Sequence, residues 1–203
     1  MEKWEKVAGE REIQKTAEAL KKNGFEVFIA ENGMKARDKV LGIIPKGAEV
    51  MNHTSMTLES IGVTKDILES GNYNPIRKIF DKMDQKTQGK EMRKLGSVPD
   101  YAIGSAHAIT QEGTILIASA SGSQLPSYAY GAEKIIFVVG AQKIVKSTDD
   151  GLKRIHEEAF PLEDKRALKV YGVHSSVNKV LILNKESVQG RITVILVREK
   201  IGF

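Results

Sequence analysis

Twice between Asn23 and Ser70, a short apolar run gives way, through a few small polar residues, to a helical stripe. Phe25 to Ala30 reads as a strand, followed by a helix from about Asn32 to Leu41. Ala48-Glu49-Val50-Met51 reads as the next strand. It ends in Asn52-His53-Thr54-Ser55 and leads at once into a helix from about Thr57 to Ser70. Strands separated by helices return to the same sheet in parallel. The alternation therefore predicts an α/β fold, a Rossmann-like mostly parallel sheet covered by helices on both faces. Ahead of it, residues 1–24 form an N-terminal helix, with Trp4, Val7, Ile13, Ala17 and Leu20 on one stripe and Asn23-Gly24 as its stop.

The second half is richer in strands. Tyr101 to Ile109 and Thr114 to Ala118 flank Thr110-Gln111-Glu112-Gly113, the pattern of an antiparallel hairpin. Lys134 to Val139 follows. Ser147 and Asp150 stand at capping-box spacing and open a helix expected to stop before Pro161. Val180 to Leu183 and Ile192 to Val197 close the chain as strands apolar on both faces, which places both inside a covered sheet. No internal repeat or low-complexity linker interrupts residues 1–203, so a single domain is expected. Within it, 71–100 is a basic helical excursion. Its seven lysines and arginines (Arg77, Lys78, Lys82, Lys86, Lys90, Arg93, Lys94) outnumber its acids. Such a run is either a solvated face or a docking face for an anion or a protein.

Composition narrows the chemistry. The 203 residues contain no cysteine, which removes disulfides, thiolate metal sites and thiol nucleophiles. The formal charge is +5, but 23 of the 31 basic residues are lysine and aromatics are 6%. That balance argues against nucleic acid, whose specific readers use arginine forks and stacking rings. No apolar run approaches the roughly 20 residues needed to cross a bilayer. The charged opening Met1 to Lys6 is not a signal peptide, so a cytoplasmic protein without a membrane is expected. The four histidines show no metal-ligand spacing, and Gly-x-Gly-x-x-Gly, P-loop and Gly-x-Ser-x-Gly patterns are absent, so no metal and no cofactor is evident.

Ligands of open α/β sheets bind beyond the carboxyl ends of parallel strands. Three polar loops occupy such places. His53, Thr54, Ser55 and Thr57 offer hydroxyls and backbone amides to a carboxylate or phosphate, or else Ser55 and Thr57 simply cap the helix. Ser121-Gly122-Ser123 allows close approach of a ligand or of another backbone. Gly104-Ser105-Ala106-His107 places His107 in the first strand of the hairpin, as a structural or a catalytic histidine.

Several segments in one order resemble the LUD domain family, the lactate-utilisation proteins that include LutC. They are Val50-Met51-Asn52-His53-Thr54-Ser55-Met56-Thr57-Leu58-Glu59-Ser60-Ile61-Gly62, Asp100 to Thr114, Ser121-Gly122-Ser123-Gln124, Tyr130 to Gly140 with Lys143-Ile144-Val145, and Tyr171 to Lys200. The resemblance runs from about residue 10 to 203. It implies a fold like that of the sugar-phosphate isomerase and coenzyme A transferase (NagB/RpiA/CoA transferase-like) superfamily. It also implies a role in lactate-to-pyruvate metabolism beside iron–sulfur partner proteins. Without cysteine, this chain fits there as a non-redox subunit or small-anion-binding protein. Its ligand would be a small anionic metabolite held by Ser55, Thr57, Ser105, Ser121, Gly122 and Ser123, with charge from Lys179 or Arg191. A second reading is an enzyme of the transferase, isomerase or cyclo-ligase type. Related transferases use a glutamate as acyl acceptor. That position falls on Gln111 here, which leaves Glu112 as a candidate general base. A third is an interaction module using 71–100, and association between copies of the chain stays open.

Overall fold

A computed structural model describes residues 2–203, apart from the side chain of Glu2. In chain order the elements are α1 (Glu2–Glu5), α2 (Glu10–Lys22), β1 (Glu26–Ala30), α3 (Gly33–Ile43), β2 (Glu49–Asn52), α4 (Met56–Ser60), α5 (Val63–Glu69), β3 (Asn74–Pro75), α6 (Ile76–Phe80) and α7 (Gln85–Ser97). Then come β4 (Tyr101–Gly104), β5 (Ala108–Thr110), β6 (Ile115–Ser119), β7 (Lys134–Gly140), β8 (Ile144–Val145), α8 (Thr148–Arg154), α9 (Phe160–Tyr171), β9 (Lys179–Leu183) and β10 (Ile192–Val197).

Six strands form a parallel sheet in the order β1-β10-β7-β4-β2-β3. Its central strands alternate their side chains between two cores. On one face, Ile195 and Val197 of β10 pack with Ile136 and Val138 of β7 under α3, α4 and α5. On the other, Val194 and Leu196 join Phe137 and Val139 beneath α2 and a second sheet. That sheet has the order β8-β5-β6-β9 and is mixed, with β5 antiparallel to β6 and parallel to β8. Its inner face, Ile109, Ile115 and Ile117, belongs to the shared core. Its outer face, Ala108, Leu116 and Ala118, packs with Trp4, Val145 and Ile155. Among the described residues no helix is long and apolar enough to cross a membrane.

Five expectations need correction. The N-terminal helix is interrupted. Gly9 caps α2 while the Ala8 N–H donates to Ala141 O, and Trp4 packs into the outer core rather than on the α2 stripe. The helix after β2 is likewise two helices, parted at Gly62, whose φ of 79° suits glycine. Pro161 does not stop the helix that Ser147 opens. Residues 155–159 widen into one π turn, closed by Phe160 N–H on Ile155 O, and Pro161, which has no N–H to give to the ladder, stands immediately after it in the first turn of α9.

The apolar run from Tyr101 to Ile109 is not one strand either. β4 lies in the large sheet and β5 in the small one, and Ser105-Ala106-His107 crosses between them. Finally, β9 is not buried on two sides. It forms an outer edge of the small sheet with β6 as neighbour, and Val180 and Ile182 remain 37% and 38% exposed.

Candidate functional site

Four parallel strands end on one side of the molecule, and the segment after each of them lines a cleft of about 330 Å³ between the two sheets. β2 delivers His53 to Thr57, β4 delivers Ser105 to His107, the turn after β7 delivers Lys143, and the segment after β10 delivers Phe203. The small sheet adds the Ser119 to Ser123 loop at the end of β6, and α9 closes the far wall with Glu163 and Arg166. A ligand at the carboxyl ends of parallel strands is the expected arrangement for this class of sheet.

Lys143 is the least ordinary of these residues. It is 1% exposed, and among the described residues it has no carboxylate partner. Its Nζ donates to Thr57 Oγ1 at 3.0 Å and to Ser105 Oγ at 3.2 Å. Neither hydroxyl has a proton to give back, since Thr57 donates to Ile201 O and Ser105 to Ala106 O. A neutral amine is satisfied by these two bonds and keeps its lone pair, whereas an ammonium would be left with an unpaired third N–H. Burial, with the Arg154 charge second, pushes Lys143 well below the usual lysine range.

Both imidazoles of the cleft are fixed as neutral tautomers by their neighbours. The Ala118 N–H donates to His107 Nδ1 at 3.1 Å, so the proton sits on Nε2, which has no partner among the described residues. Ser127 gives its own proton to Gln124 O, so His53 Nε2 must donate to Ser127 Oγ, at 2.9 Å. His53 is held down to about 3 by burial and then by the Arg77 charge. His107 is also held to about 3, by burial and then by Lys143 and Arg154. Tyr128 packs edge-on to His53, ring centres 4.9 Å apart, and burial raises its phenol. Gly104 makes room for that ring, because a Cβ there would collide with the Tyr128 oxygen.

The charged rim is unbalanced. Arg166 is neutralised by Glu163 at 2.7 Å. Arg77, from α6, donates to the Thr54 hydroxyl at 2.7 Å and has no carboxylate partner among the described residues. No group of three or more His, Asp or Glu among the described residues is placed to hold a metal ion.

The sequence-derived candidates divide cleanly. His53, Thr54, Ser55, Thr57, Ser105, His107, Ser121 and Ser123 all line the cleft. Ser55 also caps α4, accepting from the Leu58 N–H. Gly122 and Lys179 pack on each other beside the cleft without lining it; a Cβ at Gly122 would come 2.7 Å from Lys179 Cδ. Arg191 is committed elsewhere, paired with Glu186 at 2.7 Å and donating to Ala132 O. Glu112 stands exposed in the β5–β6 turn, where its carbonyl accepts from Asn23, and it does not reach the cleft. The geometry gives it no proton to move there. Lys82, Lys86, Lys90 and Lys94 of the basic excursion are exposed, while Arg77 turns inward.

Sequence reasoning missed Lys143, Arg77 and Tyr128 as cleft residues. A signal existed for the first: Lys143 is a single charge set between Val138 to Ala141 and Ile144-Val145, where a solvated lysine is out of place.

Comparison with known proteins agrees with the fold. The LUD domain sequence model matches residues 13–197. A DUF162 family protein from Deinococcus radiodurans is similar in structure, with a TM-score of 0.60 at 11% identity, over 95% of this chain and 99% of that one. eIF2B delta from Chaetomium thermophilum shows a partial likeness, with a TM-score of 0.35 at 14% identity over 57% of this chain and 49% of that one. No curated protein matches the chain in sequence.

Proposed function

This chain belongs to the LUD domain family, and from that premise we propose that it binds a small organic acid in the cleft between its two sheets. The observation that carries the reading is Arg77. It is a guanidinium on the cleft wall with a hydroxyl as its partner and, among the described residues, no carboxylate, whereas the other arginine of the lining is already paired. A carboxylate arriving there meets an uncompensated cation in a half-buried setting, where the bidentate fork of arginine is well matched to it. The hydroxyls of Thr54 and Ser55 and the free Nε2–H of His107 supply further polar contacts.

The family's link to lactate utilisation supports a hydroxy or oxo acid as the ligand class. With no cysteine among its 203 residues, the chain would serve such a pathway as a non-redox component, alongside iron–sulfur proteins that carry the electrons. Thermal unfolding in the presence of lactate, pyruvate and inorganic phosphate tests the reading. A ligand at a hundredfold excess over its dissociation constant stabilises by about 2.7 kcal/mol. The carboxylates should stabilise the chain and Arg77→Met should remove the response. No shift with any of them would sink the proposal.

A further inference from the structure

We infer that Lys143 is a covalent attachment point, capturing a small carbonyl compound that carries a carboxylate as an imine on its Nζ. The inference rests on the anion-binding reading for the carboxylate and on independent geometry for the amine. Thr57 and Ser105 accept both Nζ protons of a neutral amine and, having donated their own protons to backbone carbonyls, cannot occupy its lone pair. Lys143 is among the residues that line the cleft, with 1% of its surface accessible. No carboxylate among the described residues is bonded to it. An amine with its protons held and its lone pair free is the form that attacks carbonyl carbon.

The rest of the lining suits the same reaction. His107 presents a fixed Nε2–H on a ring that lines the cleft, a neutral donor for the carbonyl oxygen. Arg77 supplies the charge that distinguishes an oxo acid from a plain aldehyde or ketone. In the step, the Nζ lone pair forms a bond to the carbonyl carbon and the carbonyl π electrons move to oxygen, which takes one Nζ proton. The resulting hydroxyl then leaves as water with the second Nζ proton, and the C=N bond forms. No oxidant or reductant is consumed. The depressed basicity of Lys143 supports this choice over the other 22 lysines. At neutral pH a surface lysine holds only about one part in a thousand as free amine.

The test treats the full chain with glyoxylate and cyanoborohydride at neutral pH and maps the reduced adduct by peptide mass spectrometry. Lys143 should be modified at the lowest glyoxylate concentrations, before the surface lysines. Lys143→Met, whose apolar chain of similar length suits the buried position, should lose that adduct while keeping the wild-type circular dichroism. If this variant does not fold, competition serves instead: excess lactate, which has no carbonyl, should protect Lys143 in the wild type.

Adducts scattered over surface lysines with Lys143 untouched would overturn the inference. If lactate stabilises the chain yet glyoxylate never marks Lys143, the imine fails and the anion site stands. Parallel labelling with propionaldehyde separates the converse case. Equal labelling of Lys143 by the neutral aldehyde, with no response to any acid in thermal unfolding, would keep the nucleophile and discard its carboxylate selectivity.

Discussion

The two sheets contain strands of nearly the same character in opposite settings. β10, Ile-Thr-Val-Ile-Leu-Val, is buried at every position, paired with β1 on one side and β7 on the other and covered on both faces. β9, Lys-Val-Leu-Ile-Leu, has β6 as its neighbour and leaves Val180 and Ile182 more than a third exposed. Apolar residues on both faces show that a strand can be buried. Which strand is buried depends on how many neighbours and covering layers the topology supplies. The cleft lies where these regimes meet, and it takes one imidazole from each: His53 beyond a strand of the large sheet, His107 beside a strand of the small one.

The largest expected effect comes from those imidazoles. Each is held near 3 in the folded chain, against about 6.5 when unfolded, so between these values the unfolded chain binds more protons. Stability is therefore complete above about pH 6.5 and declines as the pH falls towards 3, by up to about 1.4 kcal/mol per pH unit for each histidine. Urea unfolding between about pH 6.5 and 4.5, where most carboxylates still stay ionised, reads this slope. His53→Asn and His107→Asn should each remove about half of it. A variant that leaves the slope intact would show that its side of the cleft does not keep its imidazole dry.

Next in size is a direct contrast between the strands. Ile195→Ala in β10 opens a cavity at a position with no exposure and should cost about 2–5 kcal/mol in chemical denaturation. Ile182→Ala in β9 should cost less than about 1 kcal/mol, because its surroundings are partly water already. Equal costs would mean that β9 is covered in solution by something other than this chain.

The smallest effect is Ile182→Thr, which keeps the branched shape suited to a strand and should stay within about 0.5 kcal/mol. Its use is to confirm that the edge tolerates an unpartnered hydroxyl that the fully buried position of Ile195 would not.

How far the fold was legible obeys the same division. The alternation after Asn23, the helix start at about Asn32, the Ser147 cap and the Thr110 to Gly113 turn all depend on residues close in sequence, and each is present as expected. The crossing at Ser105 to His107 was hidden because the run through it is apolar on both sides, and nothing local marks where one sheet is left for the other. Pro161 misled because a π turn has no sequence signature of its own. In the cleft, the loops after β2 and β6 were legible as small polar residues at the ends of strands. Lys143 was not, because its partners Thr57 and Ser105 meet it through the adjacency of β2, β4 and β7, a fact of strand order. Glu112 looked chemical by alignment to a motif, but its turn points away from the strand ends.

The strand order also sets a timetable for synthesis. β1, made first, hydrogen-bonds to β10, made last, with Glu26 facing Thr193 and Ala30 facing Val197. At 5–20 residues per second, β1 and the apolar side of α2 wait roughly 10–30 s after emerging before their partner exists. The large sheet cannot close during that interval, and Val27 and Ile29 face either solvent or whatever shields a nascent chain. The final strand then enters between two strands already made, so the last step of folding is an insertion of high contact order. A ribosome stalled before Ile192 should display a chain with a protease-sensitive amino terminus, and release of the last strand should protect it.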